Sequence, residues 1–355
     1  MDIEFMSEFL KEIREQPTAL RDTLLYYLQG DGAEKLKSVV DIWNTGKYDK
    51  IIFTGMGSSF FISYAATCLL NKHSITSFAI NAGELLHYQL SLLNSKSLLV
   101  CISQSGESFE IVNLIQKLPK DITIISVCNE EKSFLAEHTE ISLLSKAGKE
   151  DMTSTKTFVS SYLVIYILSL ALVREFDDKI VSKIEKMISV VDFLINHSCQ
   201  WLSDSMTLLA HTPFIQLIGR GPIYATVKQS ALMFMEATGT PSSGTLGGEF
   251  RHGPMEMVKD GFKAIVFAPS GETYDQSVSM AKDISKYGGK VIFITNISSM
   301  FDDKNIFNIT IPFLDSDLFA IPAVIPLQLI VNQWALENNI IPGAFTRGAK
   351  VTAIE

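Results

Sequence analysis

The sequence predicts an α/β protein built from two tandem repeats, each a parallel sheet with helices on both faces. Three landmarks recur in the same order about 165 residues apart, which indicates an internal duplication. An apolar run ends in a Gly-x-Gly turn, a second ends in Ser-Gly-Glu, and a third ends near an asparagine. Short apolar strands that alternate with helical stretches are typical of a covered parallel sheet. The landmarks lie at 51–57, 98–107 and 123–129 in the first repeat and at 214–221, 264–272 and 291–296 in the second.

The remaining elements follow from hydrophobic periodicity. Helical spacing from Phe9 to Leu28, interrupted at Pro17, predicts a helical lead-in before the first strand. The segment from Phe158 to Ser205 is continuously helix-prone and is predicted to join the two repeats. Within the repeats, helices are predicted at 59–70, 108–117 and 223–235. The expected organisation is a lead-in over 1–34, a first domain over 35–190, a second domain over 191–340 and a C-terminal tail over 341–355 that reaches the active site.

Composition restricts the class of protein. A chain of 355 residues with 47% hydrophobic and 19% charged residues can bury two cores of ordinary size. The longest apolar stretch, Phe158 to Val173, contains serines and is too short to span a bilayer, so a buried helix is predicted. The N-terminus shows no export signal, which predicts a cytoplasmic protein without a membrane partner. A net charge of −9 argues against nucleic acid as a partner.

Cysteine and glycine spacing gives no sign of a bound cofactor. The cysteines at 68, 101, 128 and 199 lack C-x-x-C spacing and lie in apolar contexts, so reduced core thiols are predicted rather than a metal site or disulfides. Each Gly-x-Gly turn lacks the third glycine and the acidic residue of a dinucleotide site. The sequence therefore predicts neither a metal nor another cofactor.

Two turns of the first repeat are rich in hydroxyl groups and open helices. Such turns combine free backbone N–H groups, the positive end of a helix dipole and hydroxyl donors, which suits a phosphate. Parallel sheets bind ligands at the carboxyl ends of their strands, where both turns lie. The alternative is that each serine is only a helix cap. The candidate residues are Ser58, Ser59, Ser103, Gln104, Ser105 and Ser108, with Ser154 in a further hydroxyl-rich stretch.

The second repeat offers different chemistry. Its Ser-Gly-Glu turn has Pro269 where the first copy has Gln104, which makes it a poorer phosphate cradle. The stretch from Glu236 through a glycine-rich loop at 244–249 to His252 instead holds a carboxylate and a glycine-flanked imidazole. Such a segment is a candidate active-site loop. The alternative is a structured turn with a buried histidine.

Together these motifs closely resemble the isomerase half of glucosamine-6-phosphate synthase, of the sugar isomerase (SIS) domain superfamily. The resemblance covers nearly the whole chain and implies two tandem SIS domains, each with a flavodoxin-like sheet. No counterpart of the synthase's glutaminase domain is found, so use of glutamine by that route is not expected. The motifs that carry the resemblance are Gly57-Ser58-Ser59, the turn 103–108, the stretch 147–156, Glu249-Phe250-Arg251-His252-Gly253-Pro254 and Ala349-Lys350.

The resemblance implies a role for each candidate residue. The phosphate of a hexose 6-phosphate is expected against Ser59, Ser103, Gln104, Ser105 and Ser108, with Ser58 and Ser154 nearby. Glu236 is expected to move a proton between C1 and C2, and His252 to open the sugar ring. Lys350 is expected either to form a Schiff base or to contact the open-chain sugar. A homodimer is also implied, with His252 contributed across the interface.

One departure from the resemblance affects the predicted reaction. Synthase isomerases carry a lysine three residues before the glutamate, whereas this chain has Met233. The alternative is that Met233 is simply a core residue. Ketosamine 6-phosphate deglycases of the family work mainly with a glutamate and a histidine at this spacing. The resemblance thus implies a fructosamine 6-phosphate type deglycase. The alternatives are an amino-sugar phosphate isomerase or deaminase, and a non-catalytic phosphosugar sensor.

Overall fold

The strands form two all-parallel sheets of five strands each in the computed structural model. The structure describes residues 6–298, 301–313, 315–345, 347 and 349–351, except for the side chain of Gln200. Sheet 1 contains β1 (Lys50–Gly55), β2 (Ser77–Asn81), β3 (Ser97–Ile102), β4 (Thr123–Cys128) and β5 (Ile141–Leu144), in the spatial order β2-β1-β3-β4-β5. Sheet 2 contains β6 (Ile215–Gly219), β7 (Ser242–Leu246), β8 (Lys263–Ala268), β9 (Lys290–Thr295) and β10 (Ile306–Thr310), in the order β10-β9-β8-β6-β7. Each sheet has the flavodoxin-like order, and the predicted fold class is confirmed.

Helices fill the connections between these strands. The first part of the chain contains α1 (Glu8–Arg14), α2 (Gln16–Leu28), α3 (Gly30–Asn44), α4 (Gly57–Lys72), α5 (Ala82–Tyr88), α6 (Phe109–Lys117), α7 (Phe134–Glu137) and α8 (Lys156–Leu172). The second part contains α9 (Asp178–Asn196), α10 (Cys199–Leu209), α11 (Tyr224–Thr238), α12 (Gly247–Arg251), α13 (Tyr274–Lys286) and α14 (Ile325–Glu337).

The central strands are buried along almost their whole length. Every residue of β3, β6 and β8 is buried, which requires helices on both faces of each sheet. This explains why these strands appear in the sequence as continuous apolar runs rather than alternating ones. It also places the polar turns that follow them at the carboxyl edge of each sheet, where parallel sheets bind ligands.

The chain divides into two compact units. The sheet-1 unit comprises Thr18–Glu150, Lys156–Ile184 and the described residues after 345. The sheet-2 unit comprises the described residues up to Pro17, Asp151–Thr155 and the described residues of Glu185–Phe345.

The predicted lead-in helices are present. Helix α1 belongs to the sheet-2 unit, and α2 from Thr18 onward belongs to the sheet-1 unit. In the sheet-2 unit, α1 packs on α14, and Ser7 Oγ donates to Asn332 Oδ1 at 2.7 Å. In the sheet-1 unit, the Tyr27 hydroxyl of α2 donates to the carbonyl of Leu144 at 2.9 Å. The division at Pro17 therefore falls at the start of α2.

The helix-prone segment from Phe158 to Ser205 joins the two repeats, as predicted, and consists of the three helices α8, α9 and α10. Arg174 takes a left-handed conformation (φ 63°) after α8, and the Asp177 carboxylate then caps α9 by accepting from the N–H groups of Lys179 and Ile180 at 3.0 Å each. A second break precedes α10. The first of these helices, α8, is buried on nearly all sides, as predicted. Among the described helices, none combines the length and the hydropathy that crossing a membrane requires.

Two expectations were wrong. The glycine-rich stretch 244–249 is not a loop, since its first residues belong to β7 and the rest open α12. Gly244 pairs with Leu217, and a side chain there would lie 3.0 Å from the carbonyl of Val227, so tertiary pairing and close packing override its low β-propensity. In addition, Cys199 is exposed rather than a core thiol, because it lies at the start of α10.

Candidate active site

The two serine-rich turns of the sheet-1 unit follow neighbouring strands. β1 pairs with β3 so that Thr54 is opposite Cys101, and both strands end at the same edge of the sheet. Chain connections leave β1 and β3 in opposite directions, so the turns lie at the topological switch point, where such sheets bind ligands. The first turn leads into α4 at Gly57, and the second leads into α6 with Ser108 at its N-cap. We call Ser58, Ser59, Ser103, Gln104, Ser105 and Ser108 the serine cradle.

Some cradle hydroxyls hold the turn itself together. Ser103 Oγ accepts from the N–H of Gly106 at 3.1 Å and lies 3.3 Å from Ser108 Oγ. Ser105 Oγ accepts from the N–H of Glu107 at 3.2 Å. These hydroxyls therefore stabilise the turn before α6 rather than cap the helix, since the N-cap residue Ser108 makes no side-chain capping bond.

Other cradle side chains remain available for a ligand. The side chains of Ser58, Ser59 and Gln104 make no hydrogen bond with any described residue, and all three are partly exposed. Ser58 and Ser59 lie in the first turn of α4, and Gln104 follows the carboxyl end of β3. Free donors at a helix N-terminus are suited to bind a phosphate group.

The second cradle turn is rigid because α7 supports it. Gly106 has φ 68°, and a side chain at this position would collide with Ser133 Oγ at 2.3 Å. The Glu107 carboxylate accepts from the N–H of Phe134 at 2.7 Å, and the carbonyl of Gly106 accepts from the N–H of Leu135 at 3.1 Å. The turn is therefore fixed before any ligand binds.

Glu236 lies near the C-terminal end of α11 in the sheet-2 unit. Its side chain is exposed, and its carboxylate accepts a hydrogen bond from the hydroxyl of the buried Thr153. Thr153 belongs to the segment 151–155, which hydrogen bonds with Glu12, Gly343 and Gln229 hold in the same unit. The donors and acceptors are Asp151 N to Glu12 Oε1 at 2.6 Å, Thr153 N to Gly343 O at 3.0 Å and Gln229 Nε2 to Ser154 O at 3.1 Å. A fixed backbone segment thus orients the Glu236 carboxylate.

His252 follows α12 in the same unit. It is exposed, so the alternative of a buried histidine is wrong. Its N–H donates to the carbonyl of Glu249 at 3.1 Å, while its imidazole makes no hydrogen bond with a described residue. Gly253 next to it has φ 145°, a conformation that side chains disfavour. The glycine sets the sharp turn that leaves the imidazole exposed.

Lys350 lies in the sheet-1 unit, where it pairs with a buried carboxylate. Its Nζ is 2.5 Å from Glu150 Oε2, and Glu150 also accepts from the N–H of Thr157 at 3.0 Å. Side-chain exposure is 21% for Lys350 and 0% for Glu150. The described end of the chain is therefore anchored to the start of α8.

Met233 is a core residue. It is fully buried on α11, one turn before Glu236, whereas the neighbouring Met235 is 45% exposed. The position where the resembling isomerases carry a lysine thus holds no ionisable group in this protein.

The fold and the candidate residues define a class of α/β proteins with duplicated parallel sheets and hydroxyl-rich turns at the switch point of one sheet. The model of the SIS domain matches residues 47–171 and 208–337, and the chain belongs to this family. The predicted resemblance is confirmed.

Individual relatives agree with this assignment. The glutamine–fructose-6-phosphate aminotransferase (isomerizing) of Pyrococcus horikoshii is 28% identical over 354 residues, which cover 98% of this chain but 57% of that protein. The chain thus spans little more than half the length of this relative. The C-terminal domain of glucosamine-fructose-6-phosphate aminotransferase from Francisella tularensis superposes with a TM-score of 0.84 at 23% identity, covering 95% of this chain and 98% of that one. Glucosamine-6-phosphate deaminase from Thermotoga maritima gives 0.73 at 20% identity, covering 98% and 99%. These two structures show the same fold.

The structure distributes the predicted residues between the two units. The serine cradle and Lys350 lie in the sheet-1 unit, and Ser154, Glu236 and His252 lie in the sheet-2 unit. Sequence reasoning missed Thr153 as the partner of Glu236 and Glu150 as the partner of Lys350. Only the hydroxyl-rich stretch around Ser154 gave a signal, and it did not indicate either partner.

Proposed function

We propose that this chain is an enzyme that acts on a 6-phosphorylated ketosamine, as a fructosamine 6-phosphate type deglycase. The observation that carries the proposal is an exposed, oriented Glu236 beside a fully buried Met233. The glutamate is available as a proton carrier, and no lysine stands one turn before it. Ketosamine 6-phosphate deglycases work mainly with a glutamate and a histidine, so a glutamate without this lysine favours a deglycase.

The reaction needs one base and one water molecule. In the proposed first step, Glu236 removes a proton from C1 of the open-chain ketosamine, and the electron pair forms the C1–C2 double bond. The π bond of the C2 carbonyl breaks at the same time and its oxygen takes up a proton, which gives an enaminol. Return of a proton to C2 gives an imine between C1 and the amine nitrogen. Water then adds to C1, the C–N bond breaks, and glucose 6-phosphate and the free amine are released.

Other residues take supporting roles in the proposal. The serine cradle binds the phosphate through free hydroxyls, and Ser154 is a further candidate contact. His252 exchanges the proton that opens the ring, since an imidazole exchanges protons near neutral pH. Lys350 contacts the open-chain sugar from its pair with Glu150. We retain the predicted domain bounds, 35–190 and 191–340, as part of the proposal.

The test is turnover. Fructose-lysine 6-phosphate, fructose-asparagine 6-phosphate and glucosamine 6-phosphate are each incubated with the protein, and glucose 6-phosphate, amine and ammonia are measured. We expect release of glucose 6-phosphate and amine from a ketosamine, and its loss in Glu236→Gln. If Glu236→Gln keeps the wild-type rate, the proton-transfer role is wrong.

An amino-sugar phosphate isomerase or deaminase is the second candidate. It is favoured by the names of the relatives, which include an isomerizing aminotransferase and a glucosamine-6-phosphate deaminase. Conversion of glucosamine 6-phosphate with ammonia release, and no reaction of the ketosamines, would support it. If no sugar reacts but all raise the melting temperature, a phosphosugar sensor is the better description.

A further inference from the structure

The turn after β6 in sheet 2 carries an arginine, whereas the corresponding turn after β1 in sheet 1 carries two of the cradle serines. β6 pairs with β8, so their following turns are neighbours in the same way as those of β1 and β3. Arg220 is the first residue after β6, and Met56 is its counterpart after β1. The serine of the β8 turn is held by Asn296, because Ser270 N donates to Asn296 Oδ1 at 2.7 Å and Asn296 Nδ2 donates to Ser270 Oγ at 3.0 Å. Arg220 brings a positive charge to this switch point.

Arg220 is held in place by packing rather than by a carboxylate. Its guanidinium lies against Gly247, where a side-chain carbon would be 2.7 Å from both Cζ and Nε. The guanidinium is partly buried and makes no hydrogen bond or ion pair with any described residue. An arginine has five N–H donors, so this fixed group is left with its donors unused.

A second arginine faces the same cavity. Arg251 Nη2 is oriented by Asp283 Oδ2 at 2.6 Å and by Ser279 Oγ at 3.2 Å. Burial first, and then the nearby charge of Arg251, lower the pKa of Arg220 from its ordinary value. Both side chains line an open cavity of about 430 Å³, together with Asp275, Gln276 and Ser279. This volume lies within the range of small-molecule sites.

We infer that this cavity is a second anion-binding site, which takes the phosphate group of a small phosphorylated polyol. Two guanidinium groups that repel one another are stabilised when a dianion lies between them, and planar guanidinium groups match phosphate oxygens. Asp275 is the one carboxylate among the described lining residues, and it accepts hydrogen bonds from ligand hydroxyls. This favours a phosphorylated polyol over bare phosphate. The inference does not rest on the proposed function, since none of its residues belongs to the serine cradle.

The test is phosphate binding by calorimetry at low ionic strength, with inorganic phosphate and a hexose 6-phosphate as probes. We expect wild type to bind one more phosphate per chain than Arg220→Gln, and the hexose phosphate to bind more tightly than inorganic phosphate at this site. The matched control is Arg21→Gln, an exposed arginine in the sheet-1 unit, which should bind as wild type does.

A second variant keeps the charge and moves it. Gly247→Ala places a methyl group where the guanidinium of Arg220 lies, so we expect at least a tenfold weaker affinity with no change in net charge. The inference is overturned if both Arg220→Gln and Gly247→Ala bind phosphate with wild-type stoichiometry and affinity. It is also overturned if Arg220→Gln changes only the mass of the assembly, because Arg220 would then pair with a carboxylate of another copy.

Discussion

At the scale of single residues, the contact between Thr153 and Glu236 matters most for the proposed chemistry. A carboxylate on an exposed helix surface has several rotamers, and a buried hydroxyl that donates to it selects one of them. The hydroxyl is itself fixed, because the backbone N–H of Thr153 bonds to Gly343. Preorganisation of this kind places a base without cost at the moment of reaction.

Thr153→Val removes the hydroxyl and keeps the shape. We expect kcat to fall about tenfold, since a hydrogen bond to a charged group contributes about 1.5–3 kcal/mol and part of it is retained through other contacts of Glu236. KM should change little, because the substitution does not touch the groups proposed to bind the phosphate. The measurement is steady-state kinetics at a fixed neutral pH.

Thr153→Ser is the matched control, because it keeps the donor. It should retain a kcat close to that of wild type. Equal losses in Thr153→Ser and Thr153→Val would show that only packing is affected and would contradict the orienting role.

At the scale of elements, the strand-to-helix turns decide where the cradle forms. β1 passes so close to β3 that a side chain at Gly55 would be 2.8 Å from the carbonyl of Ile102 and 2.9 Å from Ser59 Cβ. The glycine thus allows the two cradle turns to approach one another. The same approach explains why the apolar run before the turn ends in glycine.

Gly55→Ala should therefore lower both stability and phosphate affinity. Overpacking against a backbone carbonyl costs about 1–3 kcal/mol, and Ser59 must move with it. The free energy of unfolding is measured by urea denaturation, and phosphate binding by calorimetry. Gly248→Ala is the control, because its side chain would meet Arg220 at an ordinary 3.6 Å. An unchanged free energy of unfolding in Gly55→Ala would contradict the close approach.

At the scale of the whole molecule, burial of ionisable groups sets the response to alkali. Burial raises the pKa of the Cys101 and Cys128 thiols and of the Tyr27 phenol. The folded protein keeps these protons at pH values where the unfolded chain releases them, so rising pH favours unfolding. The ordinary pKa of a thiol is 9.0. The stability that the buried, protonated thiols contribute is therefore fully present below about pH 9 and decreases as the pH rises above it.

We therefore expect the free energy of unfolding to fall steadily from pH 9 to pH 11 (about two units above the ordinary thiol pKa) in urea titrations. The fall should be shallower in Cys101→Ala, which removes one of these buried groups. A free energy of unfolding that stays constant over this range would contradict the burial of these groups.

The proposed homodimer makes a separate prediction at the same scale. If His252 acts across an interface, inactive Glu236→Gln and inactive His252→Ala should regain activity when they are mixed under conditions that exchange subunits. Random exchange makes half of the dimers mixed, with one complete site each, so about a quarter of the wild-type activity is expected. No recovery, although mass spectrometry shows mixed dimers, would place Glu236 and His252 of the active site on one chain.

Much of the fold could be predicted from the sequence because the strands are buried on both faces. Their apolar runs, together with the recurring glycine and Ser-Gly-Glu turns, were sufficient to predict the parallel sheets and the duplication. The prediction failed where a local pattern competes with packing. Gly244 lies in a strand because β6 pairs with it.

The sequence by itself determined the family, the two sheets and the turns that carry the serine cradle. These depend on local patterns, namely apolar runs and the glycine, serine and asparagine residues that end them. Only the tertiary structure revealed that Thr153 orients Glu236, that Glu150 holds Lys350, and that Arg220 lies unpaired on Gly247. The physical reason is that these contacts join side chains up to 200 positions apart, and their geometry exists only once the sheets and helices have packed.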